Sequence, residues 1–133
     1  MPHPAYYDRI SSKRSKEIYS SIHKTLQKGK YYRDPKFTAQ QLSTLIKVNT
    51  RYIAAVVQLN TGKNFSDLLN SFRLKEAEQM LLTRPEFSAE EIALMSGFGS
   101  RQSFYRVFLK HYGVTPRHFR MREQRQTAEL VAD

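Results

Sequence analysis

The chain has 133 residues, 40% of them hydrophobic, carries a formal net charge of +10 and contains no cysteine. That length suits one compact domain, or two small lobes sharing a helix. The missing cysteine excludes a disulfide framework, a thiolate metal site and a cysteine nucleophile within this chain, and no apolar run has the length of a membrane span or the pattern of a signal peptide. The charge is unevenly placed. Residues 1–36 hold nine Lys/Arg against three Asp/Glu, residues 37–100 hold six of each, and residues 101–125 hold seven against one. Such a balance favours a polyanionic partner, with plain solubility as the bland alternative.

Residues 1–12, with Pro2 and Pro4 and little apolar periodicity, read as a flexible arm. A first lobe is expected over residues 13–62. Its opening helix runs from Ser12 or Lys13 to Lys28, turns Ile18, Ile22 and Leu26 inward, and ends at Gly29. Tyr31 to Lys36 is a loop stiffened by Pro35. Thr38 and Gln41 then form a capping box, in which the hydroxyl takes an orphan amide and the N3 side chain reaches back. The helix they open is expected to bury Leu42, Leu45 and Ile46, with Lys47 and Val48 making a turn. Asn49 caps the next helix. Its inner face is Ile53, Val56 and Val57, and its outer face is Arg51, Ala54, Ala55 and Gln58.

Asn64 caps a long linker helix over residues 64–83, with Phe65, Leu68, Leu69, Phe72, Ala77, Met80 and Leu81 at helical spacing. A second lobe is expected over residues 87–122. Ser88 and Glu91 form a second capping box, Ile92 and Ala93 point inward, and Gly97 and Gly99 relax the turn. Ser100 caps a helix closed by Gly113. On it Phe104, Val107 and Phe108 share one face, while Arg101, Gln102, Tyr105 and Arg106 share the other. Guanidinium, amide and phenol groups suit base edges and phosphates in a DNA groove. Thr115-Pro116 opens a last short helix with Phe119 inward and Arg117, His118, Arg120 and Arg122 outward. Residues 123–133 fit either a helical extension or a frayed tail.

The two lobes repeat one pattern. Phe37 corresponds to Phe87, Thr38 to Ser88 and Leu42 to Ile92, and after the turn Asn49 corresponds to Ser100, Ile53 to Phe104, Val57 to Phe108 and Gly62 to Gly113. The offset is 50 residues before the turn and 51 after it, so the second turn is one residue longer. A repeat of this kind predicts two helix-turn-helix units, 37–62 and 87–113, in an all-α chain of about seven helices.

These residues resemble the AraC/XylS family of bacterial transcription regulators. The resemblance covers about Phe37 to Arg122. It rests on Phe72-Arg73-Leu74-x-x-Ala77, Ile92-Ala93-x-x-x-Gly97-Phe98, Ser103-Phe104-x-Arg106-x-Phe108-x-Lys110, Gly113 and Thr115-Pro116-x-x-Phe119-Arg120. It implies two helix-turn-helix lobes joined by a long helix, with both recognition helices on one face and entering successive major-groove segments about 34 Å apart. Carried over residue by residue, Arg101, Gln102, Tyr105 and Arg106 would face bases and phosphates in the second lobe, and Arg51, Ala54, Ala55 and Gln58 in the first. Long polar residues are usual at the two alanine positions. Alanine can touch a thymine methyl but cannot donate to guanine, which weights the first lobe toward methyl contact and shape. Lys110, Arg117 and Arg120 would touch the DNA backbone, and helix starts at Thr38, Asn64 and Ser88 would offer amides to phosphates.

The expected partner is double-stranded DNA, with RNA polymerase as a candidate second partner, in a cytoplasmic, nucleoid-associated setting. No membrane partner, cofactor, metal site or small-molecule effector is expected of this chain. Met1 to Lys36 holds only one helix, so either a stand-alone protein or the C-terminal domain of a larger one fits. Catalysis is not expected, because the four histidines lack metal-ligand spacing and no phosphate-cradling Gly-rich loop is present. A nonspecific nucleic-acid module shares the charge. A protein-interaction domain on the same scaffold draws some weight from Ala54 and Ala55.

Overall fold

The computed structural model describes residues 10–132, which form seven α-helices, one short 3₁₀ turn and no strand. The all-α expectation holds. The expected arm falls largely on residues 1–9, outside the described residues, and Ser11 is already the N-cap of the first helix, accepting from the Arg14 amide at 3.1 Å. Helix α1 spans Ser12–Gly29. Gly29 does not end it by a left-handed backbone: that conformation falls to Lys30, at φ 52°. Gly29 leaves room for the Tyr31 ring, which a Cβ there would displace. The expected loop then contains a 3₁₀ turn, Tyr31–Arg33, that buries Tyr32.

Helices α2 (Ala39–Ile46) and α3 (Thr50–Thr61) make the first helix-turn-helix unit, and α5 (Ala89–Met95) and α6 (Arg101–Tyr112) the second. Both capping boxes form in full. The Gln41 amide donates to Thr38 Oγ1 at 3.2 Å and the Thr38 amide to Gln41 Oε1 at 2.9 Å. In the second unit the Glu91 amide donates to Ser88 Oγ and the Ser88 amide to Glu91 Oε1, both at 3.1 Å. Lys47 and Gly97 occupy corresponding places in the two turns and both take positive φ, 57° and 104°. Only the second unit spends a glycine on that strained position, so Lys47 adopts a conformation that side chains resist. Gly62 and Gly113 close α3 and α6 at φ 71° and 75°.

Helix α4 spans Phe65–Thr83, with the Asp67 amide donating to Asn64 Oδ1 at 2.8 Å. Helix α7 runs without a break over Pro116–Ala132, so residues after 122 continue the helix. The chain divides into two compact units, with the boundary between Leu69 and Asn70, inside α4.

In the first unit α3 packs against α1 and α2. Ile22, Leu26, Leu42, Ile53, Val56 and Val57 are fully buried. Leu45 departs from expectation at 45% exposed, and Ile46 is half-buried. Of the three apolar residues expected inside the short α2, only Leu42 lies in the core.

The core of the second unit gathers Leu74, Ala77 and Leu81 of α4, Ala89, Ile92 and Ala93 of α5, Phe98 of the turn, Phe104 and Phe108 of α6 and Phe119 of α7. Its aromatic rings meet edge-on or tilted, with Phe104–Phe108 centroids at 5.6 Å and Phe108–Phe119 at 5.5 Å, the geometry that the ring quadrupole favours. The Tyr112 hydroxyl ties α6 to α4 by donating to Glu78 Oε2 at 2.7 Å. Burial and that carboxylate push the Tyr112 phenol well above its ordinary range. Arg73, an element of the α4 motif, is buried, and its Nη1 donates to Asn70 Oδ1 at 3.0 Å.

Candidate nucleic-acid interface

Helix α6 owes its position to its apolar face. Phe104 and Phe108 have no solvent exposure, and burial of two such rings fixes the rotation of the helix about its axis. The opposite face is set by that rotation. Gln102, Arg106 and Lys110 are exposed on it, and Arg101, also exposed, stands in the first turn on the Phe104 side. This places one amide donor/acceptor and three cations on one helix, with Lys110 in the last turn where it also complements the helix dipole. Tyr105 is only half-buried, packed edge-on against Phe104 at 5.9 Å. The Arg101 guanidinium lies over its ring, 4.8 Å from the centroid. Arg101 also pairs with Glu90 of α5, Nε to Oε1 at 3.3 Å.

The corresponding face of α3 is thinner. Arg51, Ala54 and Gln58 are exposed as expected. Ala55 is not: it is fully buried, which corrects its expected place on the outer face. Its counterpart in the repeat is Arg106. A methyl group is short enough to be covered where a long arginine emerges, so the same position faces solvent in one unit and not in the other.

The expected backbone contacts also sort into different kinds. Lys110 and Arg117 are exposed. Arg120 is committed to the fold. Its Nε donates to the Leu81 carbonyl at 3.0 Å, its Nη1 to Phe87 at 2.7 Å and its Nη2 to Arg84 at 3.2 Å. These carbonyls include the end of α4, which a helix leaves without internal partners. The planar fork of arginine suits such multiple capture, so Arg120 fastens α7 to the α4–α5 connection rather than standing free for phosphate. At Thr38 and Ser88 the cap amides and hydroxyls are engaged inside their capping boxes, and Asn64 Oδ1 is taken by Asp67. The first turn of α5 also carries Glu90 and Glu91, which repel a phosphate approaching Ser88. Sequence reasoning missed Glu90 altogether. Its only signal was its place two residues after the cap, in the first turn of the helix that precedes α6.

A paired helix-turn-helix scaffold, one of whose second helices presents a cationic polar face, defines a class of protein. A family model described as a helix-turn-helix domain matches residues 42–122. The chain belongs to this family, in its AraC/XylS-type branch. It is 41% identical over 56 residues to the HTH-type transcriptional activator CfaD of Escherichia coli, covering 42% of this chain and 21% of that protein. It is 31% identical over 80 residues to the uncharacterized transcriptional regulatory protein YesN of Bacillus subtilis, covering 59% of this chain and 22% of the relative. The chain thus spans about a fifth of the length of these relatives. Among solved structures, it is similar to the C-terminal domain of the two-component response regulator yesN from Fusobacterium nucleatum. The identity is 31% and the TM-score 0.64, with 80% of this chain and 97% of that one covered. No described helix is long and apolar enough to cross a membrane.

Proposed function

We propose that the chain is the DNA-binding part of a bacterial transcription regulator, that it reads double-stranded DNA sequence-specifically in the cytoplasm, and that α3 and α6 enter successive major-groove segments. The observation that carries this reading is the division of α6: two fully buried phenylalanines on one side, Gln102, Arg106 and Lys110 exposed on the other, and Arg101 exposed in the first turn. Arginine paired with guanine, and glutamine paired with adenine, are the bidentate contacts a major groove accepts from a helix. The net charge of +10 supplies the sequence-independent part of the binding through counterion release. In α3 the exposed Ala54 and Gln58 suit a thymine methyl and an adenine edge, and Arg51 suits a phosphate.

The test is a selection of bound sequences from random duplex DNA, followed by anisotropy titration of the selected duplex and of a mixed-sequence duplex at one salt concentration. The proposal expects enrichment of a motif and a selected duplex bound about a thousandfold or more tighter than the mixed one. Equal affinity for both would leave only a nonspecific module. No binding at low salt would leave a protein-interaction domain on this scaffold.

A further inference from the structure

Glu90 is the second residue of α5, where a carboxylate complements the helix dipole. It also reaches across to α6. Its Oε1 stands 3.3 Å from Arg101 Nε and 3.5 Å from the Tyr105 hydroxyl, and the Arg101 guanidinium lies 4.8 Å above the Tyr105 ring. Arg101, Tyr105 and Glu90, from two helices, therefore close a triangle of pairwise contacts. The arginine side chain nevertheless keeps 63% of its surface open to solvent.

The atoms used decide what this can do. A guanidinium carries five N–H donors in a planar fork. Glu90 stands on the Nε side of the guanidinium as an ion pair and leaves the terminal pair open, a pair able to bind guanine O6 and N7 side by side. The Tyr105 ring lies under the guanidinium carbon, a cation–π contact that limits where the fork can swing. A carboxylate at this place also acts on the DNA backbone. It offsets the arginine charge in any complex held by phosphates alone, and it repels those phosphates.

We infer that Glu90 and Tyr105 are positioning residues that present the terminal fork of Arg101 to a base edge, guanine being the ligand chemistry it fits, while Glu90 withholds the Arg101 charge from the phosphates of incorrect sequences. This rests on the proposed DNA-reading role of α6. It gives Tyr105, expected to read bases, a supporting place beneath the arginine. It also makes an acidic residue on a basic interface a source of selectivity.

The experiment measures three variants on the selected and the mixed-sequence duplex across a salt series, with thermal midpoints recorded. Glu90→Gln keeps the shape and removes the charge. Its selected-to-mixed affinity ratio should fall by about two- to fivefold, the range of an exposed ion pair. Its salt slope on the mixed duplex should steepen by about 0.9, one further phosphate neutralised. Glu90→Asp keeps the charge and the helix-dipole contribution but shortens the reach, so the ratio should fall without the steeper slope. Tyr105→Phe keeps the ring beneath Arg101 and should lower the ratio less than Glu90→Gln. A merely structural role would shift the thermal midpoint and both affinities together, leaving the ratio constant, and that result overturns the inference. Arg101→Ala separates the two levels. If it lowers selectivity while Glu90→Gln does not, the inference falls alone. If Arg101→Ala leaves selectivity intact, the reading face falls and the inference with it.

Discussion

The two helix-turn-helix units are built to one plan and finished differently. At corresponding positions Leu42 and Ile92, Ile53 and Phe104, and Val57 and Phe108 are all fully buried, so the scaffold is held by the same inward contacts. What fills them differs: aliphatic side chains surround α3, and an aromatic cluster surrounds α6. The outward faces differ more. Arg51 is the only cation on the exposed face of α3, whereas α6 shows Arg101, Arg106 and Lys110. The repeat therefore preserves the means of placing a helix and leaves free what the helix presents. On this comparison we propose that the second unit is the one that discriminates bases, and that the first contributes a phosphate contact and a methyl-sized surface.

The largest effects should come from the cores. Phe104→Ala is expected to cost about 3–5 kcal/mol and Ile53→Ala about 2–5 kcal/mol, each through lost burial and a cavity. Guanidinium unfolding followed by circular dichroism checks both. A loss below about 1 kcal/mol in either variant would contradict the place of that side chain in its core.

Arg120→Ala should cost about 1–3 kcal/mol, because it leaves carbonyls at the α4–α5 connection without partners. Lysine at that position should restore only part, having no planar fork. The salt slope of DNA binding should stay unchanged in both variants. A slope lower by about 0.9 would return Arg120 to the phosphate backbone.

The proposed binding face gives the sharpest contrast between the units. Arg106→Ala should cost about 1–3 kcal/mol on the selected duplex and much less on mixed DNA. Arg51→Ala should weaken both duplexes alike and lower the salt slope by about 0.9. Anisotropy titrations read both, and the reverse pattern would exchange the roles of the two helices.

The smallest effect is in alkali. Burial, and then the bond to Glu78, raise the Tyr112 phenol above its ordinary value of 10.0. The unfolded chain therefore loses that proton first as pH rises. The stability from this contact is complete below pH 10.0 and is lost as pH climbs through the raised value. Tyr112→Phe should flatten the alkaline arm of stability against pH. An equally steep arm in the variant would detach that contact from the alkaline loss.

Much of this was legible in the sequence for local reasons. The capping boxes at Thr38–Gln41 and Ser88–Glu91 and the closing glycines at 62 and 113 are short-range chemistry, and all four stand as read. The internal repeat carried the fold, because it tied two weak patterns into one. Side-chain partnerships between elements were not legible. Arg120 reads as a surface cation until Leu81, Arg84 and Phe87 are brought to it. Ala55 sits where helical periodicity points outward, yet its single methyl is covered. Glu90 reads as a helix-dipole residue, and only the folded turn sets it beside Arg101.

Dimethyl sulfate footprinting of the selected duplex shows which helix meets the bases, because it reports guanine N7 one base at a time. Guanines protected in one major-groove segment should lose protection in Arg101→Ala and Arg106→Ala and keep it in Arg51→Ala. Protection that survives both α6 variants, or disappears only with Arg51→Ala, would contradict the proposed role of α6.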